Sequence, residues 1–262
     1  MNLYLLYFFT GALGGFFGGL LGLGGGIIFV PFLFFIFNQY DIHTSHVMQS
    51  AICTSLACIV VSSLSSTYKH NKNRLIDWGI FRKMSLGLSA GSIGGIIFIS
   101  YLSNNNLKSF YGLFLIIVAL YIFFSDKEKV MIKKEFKFLR LFSFFTGVFS
   151  SILGIGGGTI TTPYFRSHGK SIKESIATAA ACGIPIASLG VVTSLLINLN
   201  LELLKQSMTG FIHIESFLVV SLTSLFFSYL GASVTYSTNS YLLKLIFSFA
   251  ILIMGLIIIS TW

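Results

Sequence analysis

Leu21-Gly22-Leu23-Gly24-Gly25-Gly26-Ile27-Ile28-Phe29-Val30-Pro31 decides the fold, because it returns 132 positions later as Leu153-Gly154-Ile155-Gly156-Gly157-Gly158-Thr159-Ile160-Thr161-Thr162-Pro163. Both copies lie inside long apolar stretches. Consecutive glycines there leave backbone N–H and C=O groups without helical partners, which is tolerated at membrane depth only where the break is buried in protein or lines a polar cavity. Paired interruptions at matching places in two halves point to the binding site of a transporter.

Working outward, the composition excludes an ordinary soluble protein. Of 262 residues 55% are hydrophobic and only 10% charged, with a mean hydropathy of +0.87, the profile of a polytopic all-α membrane protein. The net charge of +9 does not indicate nucleic acid, because the basic residues sit in short loops between apolar runs and form no stripe or arm. Cys53, Cys58 and Cys182 fall in apolar segments without a Cys-x-x-Cys pair or a Cys/His cluster, so neither a disulfide framework nor a metal site is expected, and no cofactor. The chain is apolar from Leu3 and has no Lys or Arg before Lys69. It lacks the basic n-region of a cleaved signal, and the first segment is expected to stay in the mature protein.

Stretches of about 20 apolar residues, the length that crosses a ~30 Å hydrocarbon core, fall at 47–67, 79–101, 107–125, 175–197, 208–230 and 241–261. The glycine-interrupted stretches 3–38 and 138–166 differ: each reads as a helix, a break, and a short apolar piece containing Pro31 or Pro163, two prolines of structural role. The chain therefore divides into two four-segment repeats, 1–125 and 138–262, joined by a charged cytoplasmic linker at 126–137. Gly95 with Leu107-Lys108 matches Gly231 with Leu243-Lys244, and Ser50-Ala51 matches Thr178-Ala179.

Each interrupted segment either crosses once as a broken helix or re-enters. Cytoplasmic loops carry the excess of Lys and Arg. Single crossings put 12 basic residues inside and 5 outside, whereas two re-entrant hairpins put 15 inside and 2 outside. The second split is cleaner, and it makes the halves inverted, with both termini outside. Against it stands length, since residues 3–21 rise about 28 Å as a helix.

The doubled glycine motif, the Thr54-Ser55 pair in the next span and Ile76-Asp77-Trp78 ahead of the one after together resemble the sulfite exporter TauE/SafE family over nearly the whole chain. That resemblance implies a multi-pass protein of the cytoplasmic membrane that moves sulfite, sulfonates or related organosulfur anions. The second half departs from the pattern, with Cys182-Gly183 where the first has Thr54-Ser55.

A small oxyanion needs converging donors and little steric bulk. Gly22, Gly24, Gly25, Gly26 and their counterparts Gly154, Gly156, Gly157, Gly158 expose bare N–H groups, and the helix after each turn, which opens on Thr159 in the second copy, offers a positive dipole end. Close helix packing is the competing reading of the triplets, and it is the preferred one for Gly11, Gly14, Gly15, Gly18 and Gly19. Gln49, Ser50, Thr54 and Ser55 sit at helical spacings in an apolar span, so that two or three of them share one face, with Ser175 and Thr178 on the second-half span. They are candidate donors, with bonding to neighbouring backbone as the alternative. Cys182 could touch a sulfur substrate or serve as a small apolar residue. His43, His46, His70, His168 and His213 read as interfacial hydrogen-bonding groups, and Asp77-Trp78 as a boundary anchor.

The expected function is secondary transport of a small sulfur anion, with protons as a candidate coupling ion and membrane lipid as the surroundings. An anion channel is the alternative. An intramembrane enzyme is disfavoured, since no Gly-x-Ser-x-Gly or His-Glu-x-x-His is present and no Asp or Glu inside a span pairs with a His. The chain carries no phosphate-binding Gly-x-x-x-x-Gly-Lys-Ser/Thr motif, hence no built-in ATP engine.

Overall fold

The computed structural model describes residues 2–42, 46–124, 138–198, 208–235 and 240–260. The expected linker 126–137 and His43 lie outside the described residues. Each glycine-interrupted stretch forms two helices, so the described chain runs in two series of five. The first is α1 (Leu3–Leu21), α2 (Gly26–Gln39), α3 (Val47–Lys72), α4 (Trp78–Ser100) and α5 (Asn104–Phe124). The second is α6 (Leu139–Ile152), α7 (Gly158–Ser167), α8 (Ile172–Asn198), α9 (Ile214–Val234) and α10 (Ser240–Ser260). Among the described residues α1, α3, α4, α8 and α9 are long and apolar enough to cross a membrane.

One expected span starts late. The stretch from 208 opens not as helix but as a tight hairpin of β1 (Met208–Thr209) and β2 (Ile212–His213). Gly210 takes the left-handed backbone of its turn, φ 66°, and α9 begins only where His213 caps it through the Ser216 N–H. Apolar composition alone could not separate this hairpin from the helix it precedes.

The packing partners of the two series exchange. α1 lies along α9 and α6 along α4, α3 crosses α8, and α5 meets α10. Glycines make the closest of these seams, as small residues do where helices associate in lipid. Gly11, Gly15 and Gly19 on α1 abut Val220, Ser224 and Ser228 on α9, while Gly87, Gly91 and Gly95 on α4 abut Ser143, Phe144 and Ser151 on α6. Both seams run parallel. The α3/α8 contact is antiparallel, with Gly183 against Ser63 and Gly190 against Leu56. So is α5/α10, where Gly112 meets Ile259 and Phe123 meets Phe249. α3 is the buried centre: Met48, Ala51, Ile52, Leu56 and Ile59 are sealed from the surface, whereas Leu86, Leu222 and Phe226 stand outward on the flanking helices, as a lipid-facing shell permits.

Candidate functional site

The site begins at the breaks. α1 ends on Gly22, whose left-handed backbone lets the Leu23 N–H reach the Gly18 carbonyl, and the chain restarts at Gly25, φ 88°, whose carbonyl accepts from Ile28 and Phe29. The second copy repeats this. Ile155 donates to the Ser150 carbonyl, and Gly157, φ 78°, accepts from Ile160 and Thr161. No side chain caps α2 or α7.

Each break also reverses the chain. Gly18 lies on Gly25 and Gly14 on the Phe29 ring, so α2 folds back along α1. Phe142 stacks on Tyr164 at 3.6 Å, so α7 folds back along α6. Pro31 and Pro163 fall inside the returning helices.

The tips of the two hairpins meet backbone to backbone and run antiparallel. Gly26 seats on the Gly154 carbonyl, Gly158 on the Gly22 carbonyl, and Gly24 beside Gly156. The Gly156 N–H donates to the Leu23 carbonyl at 3.3 Å. Ile59 of α3 and Gly183 of α8 wall the crossing. Two α3 serines hold the tips: Ser62 donates to the Gly24 carbonyl at 2.8 Å and Ser55 to the Gly154 carbonyl at 2.9 Å. Ser63 Oγ also faces Gly24 and Gly183, buried and without a partner.

The glycines and Ser55 thus come together at the crossing; the other sequence candidates are placed elsewhere. Gln49 donates to the Leu102 carbonyl, its Oε1 buried without a partner. Ser50 is buried in α3. Thr54 and Thr178 hydroxyls both accept a backbone N–H from a residue that caps a helix of the opposite half, Thr54 from His213 and Thr178 from Asp77, each at 3.0 Å. Cys182 lies in an apolar cluster with Ile80, Met84, Phe165 and Ile186. Thr159 keeps a buried oxygen without a partner, and so does Ser175. Among the described residues no His, Cys, Asp and Glu gather as a metal site.

Sequence reasoning missed Ser62, Ser63, Thr146 and Ser150. Ser62 and Ser63 lie two turns beyond Thr54-Ser55 on α3. Thr146 and Ser150 fall 132 positions after Gly14 and Gly18, so extending the repeat backward from the glycines would have exposed polar residues opposite bare ones.

The two capping residues differ in kind. His213 is buried between the Phe37 and Tyr7 rings, at 5.4 and 6.3 Å, while Asp77 pairs with Lys170 at 2.7 Å. Burial pushes the Asp77 carboxyl up, but hydrogen bonds from Lys170 and the Ile80 and Gly79 N–H groups outweigh it and hold the group below its usual range. The ion pair ties the loop before α4 to the loop between α7 and α8.

The model of the family described as "Sulfite exporter TauE/SafE" matches residues 7–258. A "Probable membrane transporter protein" of Haemophilus influenzae is 31% identical over 235 residues, covering 88% of each chain. A protein of the same description from Methanocaldococcus jannaschii is 28% identical over 258 residues, covering 96% of this chain and 93% of its own. YunE of Bacillus subtilis, again described so, is 27% identical over 180 residues, 61% of this chain and 66% of its own. No solved structure matches significantly.

Proposed function

This chain belongs to the sulfite exporter TauE/SafE family of membrane transporters, and from that premise we propose that it is a secondary transporter of small sulfur-containing anions in the cytoplasmic membrane, working by alternating access at the crossing of its two glycine hairpins. The observation that carries the reading is that crossing itself. Two helix breaks are buried tip to tip, and the helices that restart there aim their N-termini inward, where unpaired amides and the dipole favour an anion. Bound there, the substrate is held by neutral donors.

Inverted halves, each with a re-entrant hairpin, fit best. Antiparallel contact between the corresponding helices α3 and α8 supports inversion. The Asp77–Lys170 pair supports re-entry, because it brings the 166–173 loop to the same end as the basic loop after α3, where a single crossing would put it at the opposite end. Sulfite and sulfoacetate uptake into proteoliposomes tests the function: saturable uptake with counterflow is expected, and uptake that neither saturates nor shows counterflow would indicate a channel. Labelling of a cysteine introduced at position 170 only from outside would overturn re-entry.

A further inference from the structure

The inner corners of the two hairpins are built from different materials. In the first, the Phe29 ring fills the corner, lying against the positions where side chains on Gly14 and Gly25 would project, and Gly18 closes directly on the Gly25 backbone. In the second, the residues 132 positions on are Thr146, Gly157, Ser150 and Thr161. No ring enters. Thr161 turns its hydroxyl onto its own helix, donating to the Gly157 carbonyl at 3.1 Å.

Thr146 and Ser150 are 2% and 0% exposed, yet neither hydroxyl has a partner. Ser150 Oγ lies 3.4 Å from the point where a Cβ on Gly157 would project, so it is aimed at the N-cap of α7, while Thr146, one turn behind it, turns its Cγ2 methyl to the same point at 3.8 Å. A buried hydroxyl without a partner is a standing cost to the fold. Here two occur together beside a helix start whose first N–H groups have no acceptor in the helix. The atom nearest to the point where a Cβ on Gly157 would project is the Cδ1 end of Ile186. Ile186 follows Pro185 inside α8, where the missing N–H removes a backbone bond and makes the helix deformable.

The geometry points to a one-sided anion subsite in this second corner. The Ser150 hydroxyl and the first-turn amides of α7 donate to the –SO3⁻ head of sulfite or of a sulfonate, a χ1 turn at Thr146 brings its buried hydroxyl in as a second donor, and Ile186 is the stopper that yields when the head enters. The first corner takes no anion, because Phe29 occupies it. This inference rests on the transport reading above and narrows it from two equivalent glycine turns to one.

The test is binding to the purified full-length protein in detergent, with sulfite, sulfoacetate and methanesulfonate as probes and the melting temperature as readout. Removing a hydrogen bond to a charged group weakens binding about ten- to a hundredfold. Ser150→Ala and Thr146→Val should each lose affinity by that factor, while the ligand-free melting temperature stays level or rises, since each removes an unsatisfied buried hydroxyl. Ser150→Gly, which installs the residue the first hairpin carries at this place, should behave the same and serves if the alanine variant does not fold. Unchanged affinity in these variants, whatever their melting temperatures, overturns the one-sided subsite and leaves the transport reading standing. Failure of all three probes to shift the wild-type protein removes the transport reading and with it this inference.

Discussion

The two glycine hairpins share a backbone plan and differ in what fills it. Both break, reverse and restart at the same spacing, and each seats a glycine on the other's carbonyl, Gly26 on Gly154 and Gly158 on Gly22. The first is packed dry around Phe29, while the second keeps Thr146, Ser150, Thr159 and Thr162 oxygens buried without partners. The difference teaches that geometry and chemistry have separated here: the repeat preserves the crossing, and the side chains around it are free to make one hairpin a strut and the other a candidate receptor.

The largest effects should come where the hairpins are alike. Gly26→Ala and Gly158→Ala each drive a methyl group into a carbonyl of the opposite tip, with no flexible atom to move aside. Both are expected to destabilise by more than about 4 kcal/mol, read as loss of monodisperse protein. Tolerance of one but not the other would break the symmetry of the crossing.

Next comes the strut. Phe29→Ala empties a fully buried ring site and should cost about 3–5 kcal/mol, measured by thermal unfolding. Thr161→Ala, at the matching place, should cost about 1 kcal/mol or less, the scale of one hydrogen bond. Equal losses would mean that the second corner is packed as tightly as the first.

A third comparison sets Thr54 against Cys182, the positions where the halves depart from each other. Thr54→Val removes the hydroxyl that accepts the buried His213 N–H and is expected to lower stability by about 1–3 kcal/mol. Cys182→Ala removes only a small apolar contact within its cluster and should cost less, about 1 kcal/mol. A large loss of anion affinity in Thr54→Val at unchanged stability would instead make that hydroxyl substrate-facing.

The smallest effect belongs to the ion pair between the loop before α4 and the loop after the second hairpin. Asp77→Asn keeps an oxygen for the Ile80 N–H but loses the charge pairing with Lys170, worth about 0.5–1 kcal/mol for a pair this accessible to water. Because the folded-state pKa is depressed, the wild-type advantage is present above the unfolded carboxylate value near 4 and fades as pH falls through the folded one. Melting curves of the two proteins should converge in acid, and a gap that persisted there would exclude the carboxylate as its source.

Much of this was legible in the sequence because glycine and proline punctuate so strongly. Gly22 to Pro31 and Gly154 to Pro163 announce a helix, a break and a second helix, and the structure has them. The Met208–His213 hairpin was hidden, since Met208, Phe211 and Ile212 read as the opening of a span until Gly210 is seen to turn the chain. Thr54 and Thr178 illustrate a different limit. Their helical spacing identifies a shared face, but only the fold reveals that this face meets the capping N–H of a helix more than 100 residues away in sequence. Thr146 and Ser150 were obscured by the glycines themselves, whose regularity drew the repeat inward and left its flanks unread.

The residues described at the crossing, glycines, serines, isoleucines and Leu23, include no charged side chain. On the proposed reading, an anion bound there would bring its own charge and meet none among these side chains to cancel it. With no proton travelling alongside, each passage would move net charge through the bilayer, and voltage alone would do work on it, about 2.3 kcal/mol for every 100 mV, or roughly a fiftyfold concentration ratio for a singly charged substrate. A cell interior held negative would expel such an ion without any further source of energy.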